Sequence, residues 1–257
     1  MAQRSVPIFV PAPMIPIRSL RSLCLLVALS ACFSLNAQYQ TGVKVENLPN
    51  FDLRRFHFGF LLSYNNSDFY YKLDPQAPFS DSLMTFQHLR QPGFNLGIVA
   101  SVNLTDNLSL RFLPGLSFQE RILQYQFQTP DGGSKYYQKP VESTYLEFPL
   151  LAKFRSDRIN NFAVYVLGGG KASIDMASQK DVDQTLDDEV VIKLNKLDYS
   201  VEAGGGVDFF LTYFKFGIEL KHSIGIPNLL IDDGTRFSAP IESLRSKTWV
   251  LTFTFEG

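Results

Sequence analysis

The chain is poor in cysteine and in net charge. Of its 257 residues only Cys24 and Cys32 are cysteines, and both lie in one apolar stretch near the N-terminus. If that stretch is removed, the remaining chain can form no disulfide, thiolate metal site or cysteine nucleophile. Basic and acidic side chains nearly balance, at 24 against 25. Because there is no positive excess and no long basic run, we expect no nucleic-acid partner.

The apolar stretch, residues 20–33, is shorter than a membrane-spanning helix, which takes about 20 residues. Two arginines precede it and small residues follow it, as in a secretory signal peptide. We therefore predict a signal peptide over residues 1–37, cut after Ala37, with Met14 as the alternative translation start. Residues 29–32 also fit a lipoprotein box, so lipoprotein processing is the alternative to ordinary cleavage.

A helical period is missing from the rest of the chain, where apolar residues recur at every second position. Residues 56–64 and 248–255 show this most clearly, with large rings alternating mostly with small or polar residues. Eight such segments follow one another, and a period of two residues predicts β-strands. We expect an all-β fold: an eight-stranded antiparallel up-and-down transmembrane β-barrel over residues 56–257, behind a short periplasmic segment over residues 38–55.

The connections between these segments alternate between long and short. The long ones are residues 65–92, 128–140, 175–197 and 225–247. Long and short connections then lie at opposite ends, as in an outer-membrane barrel with short periplasmic turns and both termini in the periplasm. The apolar parity changes after Glu120, and this change predicts a β-bulge there.

Alternation alone does not decide which face points inward, because a soluble lipocalin-like barrel has the same period. The polar face is mostly Gly, Ser and Asn, whereas the apolar face carries many of the 23 phenylalanines and 11 tyrosines. Small polar residues suit a narrow lumen, and large rings suit contact with acyl chains. The composition favours an outer-membrane barrel, with membrane lipids as partners, over a lipocalin-like barrel.

Four charged residues on the predicted inner face stand out. Glu147, Lys171, Glu202 and Lys221 come to similar heights on four successive strands. A charge inside a small barrel needs a partner, because an unpaired buried charge is costly. We predict an alternating Glu-Lys-Glu-Lys network that fills the lumen and leaves no pore.

The chain carries no motif of catalysis or cofactor binding. The histidines His57, His88 and His222 lack metal-ligand spacing, and the Gly-rich run at 168–171 lacks the spacing of a phosphate loop. We expect no enzymatic activity, no cofactor and no metal site. The alternative is an enzyme at the barrel rim, with His88 or His222 beside a loop Ser or Asp.

Several short motifs, taken in order, resemble one family of outer-membrane barrels. They are VENLPNFD at 45–52, FHFGF at 56–60, PGFNLGIV at 92–99, LRFLPGLSF at 110–118, VESTYLEFPLL at 141–151, NNF at 160–162 and FKFG at 214–217. Together they are similar to the PorT family, also called SprT, of Bacteroidetes-type bacteria. The likeness runs from about residue 45 to the C-terminus.

This resemblance implies a non-enzymatic component that type IX protein secretion requires, and gliding motility where a species has it. Other secretion components would then be partners. The periplasmic segment is where such a partner could dock, through Asn47, Pro49, Phe51 and Asp52. The alternative is a generic small outer-membrane barrel with a porin-like or adhesion role.

Overall fold

The computed structural model describes residues 46–77, 82–177 and 192–257. The predicted signal peptide, the start at Met14 and residues 38–45 lie outside the described residues. Within these ranges, no helix is long and apolar enough to cross a membrane. The strands are β1 (Phe56–Leu73), β2 (Leu83–Asn103), β3 (Leu108–Phe112), β4 (Gly115–Gln128), β5 (Ser134–Arg155), β6 (Phe162–Asp175), β7 (Leu197–Phe210), β8 (Lys215–Gly225) and β9 (Ile241–Glu256).

The strands form a closed antiparallel ring. Apart from β3 and β4, each strand pairs with the next along the chain, and β1 also pairs with β9, from Gly59 opposite Glu256 to Leu73 opposite Ile241. Strands β3 and β4 both pair with β2 and β5, and only Leu113 and Pro114 separate them. They therefore fill one position in the wall, interrupted where proline has no N–H to donate. The predicted eight-stranded up-and-down barrel is confirmed.

The wall has an apolar outer face and a polar inner face. On β1 the outward Phe58 and Phe60 are 62% and 58% exposed, whereas the inward Ser63 is 3% exposed. On β9 the inward Thr252 and Thr254 are buried between outward aromatic rings. A soluble barrel has the opposite arrangement, with its apolar face inside. The lipocalin-like alternative is therefore excluded.

The apolar face changes sides where the strands pass beyond the lipid-facing belt. On β4, Ser117 and Gln119 point inward, and further along the same inward face Leu123, Tyr125 and Phe127 are buried. The bulge predicted after Glu120 is not on β4, which pairs with β5 without any shift of register; the shift is in the pairing of β4 with β2, where Arg121 pairs with Arg90 and Phe118 with Phe94. The parity of apolar residues changes because an enclosed apolar core replaces lipid as their surroundings. The irregularity lies instead on β2, between Arg90 and Phe94.

This core closes one end of the barrel, which we call the loop end. It consists of buried side chains from β1, β2, β4, β5, β9 and the connections: Phe69, Phe86, Leu123, Tyr125, Phe127, Val141, Ile192, Leu194, Leu229, Leu230, Phe237, Ile241 and Leu244. Phe237 reaches in from the connection between β8 and β9 and packs edge-on against Tyr125, at 5.2 Å between centroids. We call this cluster the apolar cap.

The strands also extend further than predicted. The connections at the loop end are residues 74–82, 129–133, 176–196 and 226–240, so much of the predicted loops 65–92 and 128–140 is strand. The apolar cap explains the difference, because side chains that pack into a core hold the strands in register beyond the bilayer. At the other end, which we call the turn end, the strands are joined by residues 104–107, 156–161 and 211–214.

One close approach in the wall is possible only with glycine. A Cβ added at Gly206 would come within 2.4 Å of the carbonyl oxygen of Ile218 and within 2.7 Å of the Tyr165 Cζ and hydroxyl. Tyr165 has little freedom to move, because its hydroxyl donates to Glu219 at 3.0 Å and the Lys153 ammonium sits 3.5 Å from its ring centroid.

We therefore expect Gly206→Ala to destabilise the barrel by about 1–3 kcal/mol, the usual cost of overpacking. The measurement is the temperature at which the compact band of the folded barrel disappears from a detergent gel. Gly168→Ala is the matched control, because the nearest atom to its Cβ would be 3.6 Å away. Equal melting of both variants would show that the Tyr165 ring and the backbone at Ile218 both give way without cost.

Candidate functional site

The structure brings three of the four predicted lumen charges into direct contact. Lys171 Nζ lies 2.9 Å from Glu147 Oε1 and 3.1 Å from Glu202 Oε1. All three residues are buried. Their strands β5, β6 and β7 are consecutive, so the pleat turns all three side chains into the lumen at one height. We call this set the upper charge layer.

Lys221 is placed differently from the prediction. The ion pair that the structure gives it is with Glu219 Oε2, at 3.9 Å, not with Glu202. Together with Glu147, Glu202 and Leu113, it lines a small cavity of about 20 Å³ beside the break between β3 and β4. A cavity of this size has room for about one water molecule, which could bridge the charges that surround it.

A second charge layer lies nearer the turn end and was not predicted from the sequence. Arg111 contacts Glu219, and its Nη2 lies 3.2 Å from Glu256 Oε1. Lys215 Nζ lies 2.9 Å from the other carboxylate oxygen of Glu256. The Tyr165 hydroxyl donates to Glu219. Because every one of these charges is buried, the pairing is what makes their burial tolerable.

This second layer, which we call the lower charge layer, also includes Lys153, whose Nζ donates to Asp208 Oδ2 at 2.8 Å. Each of its members sits on the inward parity of its strand, and this signal was available in the sequence. The partners of Arg111 were not, because Arg111 on β3 meets Glu219 on β8 and Glu256 on β9 across the lumen, whereas Lys215 and Glu256 lie directly opposite each other on neighbouring strands. The tilt and stagger of the strands decide those distances.

The two rim histidines do not meet a hydroxyl nucleophile among the described residues. His88 hydrogen-bonds the carboxylate of Asp68, which also accepts a bond from Arg90 Nε at 2.7 Å. His222 stacks against Trp249 on the outward face, with 4.3 Å between ring centroids. Within the described residues, no cluster of three or more His, Cys, Asp or Glu side chains could hold a metal ion.

The N-terminal segment folds over the turn end of the barrel. Phe51 is 5% exposed and stacks on His57, with 4.0 Å between ring centroids. Its ring also meets Phe210 edge-on at 6.0 Å, and Lys215 Nζ lies 4.8 Å from its centroid. Phe51 thus enters the barrel mouth directly below the lower charge layer. We call residues 46–55 the strap.

Two arginines hold the strap in place: Arg155 at the end of β5 and Arg158 on the turn that follows. Asp52 accepts from Arg155 at 2.8 Å and from Arg158 at 3.2 Å. Arg158 also donates to the carbonyl oxygen of Asn47 at 2.6 Å, and the Asn47 side chain donates to the carbonyl oxygen of Phe210. Burial raises the pKa of Asp52, but the two guanidinium groups outweigh it and lower the pKa below its ordinary value.

The four residues of the predicted docking segment therefore differ in accessibility. Phe51 is buried in the barrel mouth, and Asn47 and Asp52 are partly buried against the turns. Pro49 is exposed, and so are the neighbouring Asn50 and Leu53, the latter at 82%. A partner that met the strap in this conformation would touch its exposed residues rather than Phe51.

Comparison with known proteins gives the family. A model described as "Outer membrane protein beta-barrel domain" matches residues 36–230, and the chain belongs to this family. The closed ring with a lipid-facing exterior and the family together define an outer-membrane β-barrel protein. The comparison with curated proteins finds no match.

Solved structures with some likeness are small surface barrels. Neisserial surface protein A is 10% identical, with a TM-score of 0.42, covering 77% of this chain and 96% of its own. The outer membrane protein OprG from Pseudomonas aeruginosa is 12% identical, with a TM-score of 0.45 and coverages of 79% and 95%. Ail, the attachment invasion locus protein of Yersinia pestis, is 12% identical, with a TM-score of 0.33 and coverages of 79% and 100%.

The upper charge layer predicts how single substitutions in the lumen behave. Lys171→Met removes the cation that two buried carboxylates share, so we expect a loss of about 3–5 kcal/mol in the free energy of unfolding. Glu147→Gln should cost less, because Lys171 keeps Glu202. The triple variant Glu147→Gln, Lys171→Met, Glu202→Gln should recover much of the loss. The measurement is urea unfolding in detergent micelles, and a Lys171→Met midpoint equal to wild type would show that water screens the layer.

The strap should loosen in acid. Arg155 and Arg158 lower the folded-state pKa of Asp52 below its ordinary value of 3.8. Their stabilising effect is therefore fully present above about pH 4 and disappears as the pH falls through that lower pKa. A spin label at Pro49→Cys should be immobile at pH 6 and become mobile in stronger acid. In the Asp52→Asn background the label should be mobile at both pH values, and a label equally immobile there would contradict the role of Asp52.

Proposed function

We propose that this protein is a non-catalytic component of the type IX secretion machinery that acts by binding other components at the turn end of the barrel. In this proposal the turn end, with the strap and the C-terminus, faces the periplasm. The resemblance of its ordered motifs to the PorT family supports the assignment to secretion. The closed lumen of the barrel supports the second part of the proposal, binding at an outer surface.

The lumen is filled along its whole length. The Phe51 ring of the strap covers the turn end, the two charge layers fill the middle, and the apolar cap fills the loop end. An eight-stranded barrel is narrow even without such fillings. A protein substrate therefore has no path through the lumen, and a role in secretion would depend on binding at the outer surfaces of the barrel.

The strap is the surface that best suits a partner in the periplasm. Arg158 and Asn161 bond its backbone at Asn47, and Arg155 bonds the side chain of Asp52, so a partner meets a preformed shape and does not have to order it. At the same time Leu53 is 82% exposed, with Arg54 and Arg55 exposed beside it. An exposed apolar side chain flanked by basic residues is suited to a partner surface that is apolar with an acidic rim.

The test is a clean deletion followed by comparison of the secreted proteome. Proteins with the C-terminal sorting domain should disappear from the medium and return when wild type is supplied. Leu53→Asp should fail to restore secretion although the barrel still folds, because it changes the strap surface alone. Tyr136→Asp is the matched control, since Tyr136 is 54% exposed on β5 at the loop end, and it should restore secretion fully.

The outcomes separate two claims. Normal secretion from the deletion strain would show that the role in secretion is wrong. Loss of secretion on deletion, with full rescue by Leu53→Asp, would keep the secretion role and refute the strap as the docking surface.

A further inference from the structure

The outward face of β9, between β8 and β1 in the wall, carries two cations just beyond the lipid-facing belt. Tyr64 and Trp249 mark the edge of the belt, with 51% and 44% of each side chain exposed. The next outward residues along β9 are Lys247 and then Arg245. Aromatic rings gather at the boundary between hydrocarbon and headgroups, so these two cations lie at headgroup height.

Neither cation is paired within the part of the chain that the structure describes. In the sheet Lys247 stands opposite Asp68, but that carboxylate is taken by Arg90 and His88. Arg245 stands opposite Tyr70, which carries no charge. This contrasts with the lumen, where most cations lie within 4.0 Å of a carboxylate.

The cations also lie on one side of the barrel only. On β4 and β5 the outward positions beyond the belt hold Glu120 and Glu142, directly opposite each other in the sheet. The two cations on β9 therefore sit at headgroup height on the far side of the barrel from the two carboxylates on β4 and β5. His222, stacked on Trp249, adds a further hydrogen-bonding ring beside these cations.

We propose that Arg245 and Lys247, with Trp249 and His222 beside them, bind the phosphate-bearing headgroup of a glycolipid in the leaflet at the loop end. Arginine and lysine bind phosphate through charge-assisted hydrogen bonds, and each cation near a membrane surface adds to the attraction for anionic lipid. The neighbouring apolar belt supplies contacts for the acyl chains. The choice of leaflet rests on the proposed orientation, with the turn end in the periplasm; the site does not depend on any role in secretion.

The protein supplies its own reporter, because Trp249 is the one tryptophan of the chain. Lipid A is titrated into the full barrel in micelles of a neutral detergent, and the emission of Trp249 is followed. A saturable change is expected for wild type. The double variant Arg245→Gln, Lys247→Gln should bind about tenfold more weakly.

Matched controls distinguish a site from general charge attraction. Lys72→Gln removes the same charge as Lys247→Gln, but Lys72 is already paired with Glu242 at 2.7 Å, so its affinity should stay within about twofold of wild type. Dephosphorylated lipid A and inorganic phosphate should each give no saturable change. The compact band on a detergent gel checks that each variant is folded.

Equal affinity of wild type and the double variant would overturn the proposal. So would equal binding of the dephosphorylated lipid, or a saturable response to inorganic phosphate alone, which would point to a free-anion site instead. A failure here leaves the secreted-proteome test untouched, because that test measures a different surface at the other end of the barrel.

Discussion

The structure depends on the pairing of its first strand with its last. Inside hydrocarbon a backbone N–H or C=O without a partner costs several kcal/mol, so a sheet with two free edges cannot stay there. The ladder between β1 and β9, from Gly59 opposite Glu256 to Leu73 opposite Ile241, removes both edges at once. Once eight positions close on themselves, the two-residue period assigns every side chain in the wall to lipid or to lumen.

A narrow lumen then decides how charge is handled. An inward charge has no room for bulk water, so it must meet an opposite charge, and closure places several strands within reach of one side chain. The two layers contain equal numbers of each sign: Arg111, Lys153, Lys171, Lys215 and Lys221 against Glu147, Glu202, Asp208, Glu219 and Glu256. The lumen charges in these layers therefore cancel, which limits the cost of holding them within the membrane.

The sequence was sufficient for whatever depends on the period along one strand. It predicted the number of wall positions, the interruption at Pro114 and the inward parity of Glu147, Lys171 and Glu202, because a strand displays these locally. The prediction failed where the alternation of apolar residues was interpreted as if lipid surrounded the strand along its whole length. The change of apolar face after Glu120 indicated a bulge only if lipid surrounded the whole strand, whereas the apolar cap surrounds its far end.

The sequence could not predict which charged residues meet across the lumen, and the reason is different. Arg111 meets Glu219 and Glu256 from more than 100 positions away in the chain, and the tilt and stagger of the whole barrel set that meeting. The fold of the strap was equally hidden, because Asp52, beside the buried Phe51, is bonded by Arg155 and Arg158 from more than 100 positions away in the chain. Sequence motifs indicated this segment as important, but not that its aromatic ring is buried.

The two ends of the barrel are closed by different forces, and this difference bears on which end can respond to a partner. The apolar cap joins side chains from several strands and from the connection that carries Phe237, so opening it would expose a whole core to water. The strap is held in place by the inserted ring of Phe51 and by ion pairs of Asp52 that are partly exposed. Such pairs contribute at most about 1 kcal/mol each. A partner that competes for Asp52 or for the arginines can therefore lift the strap at modest cost, and the turn end is the end where binding can change the conformation of the barrel.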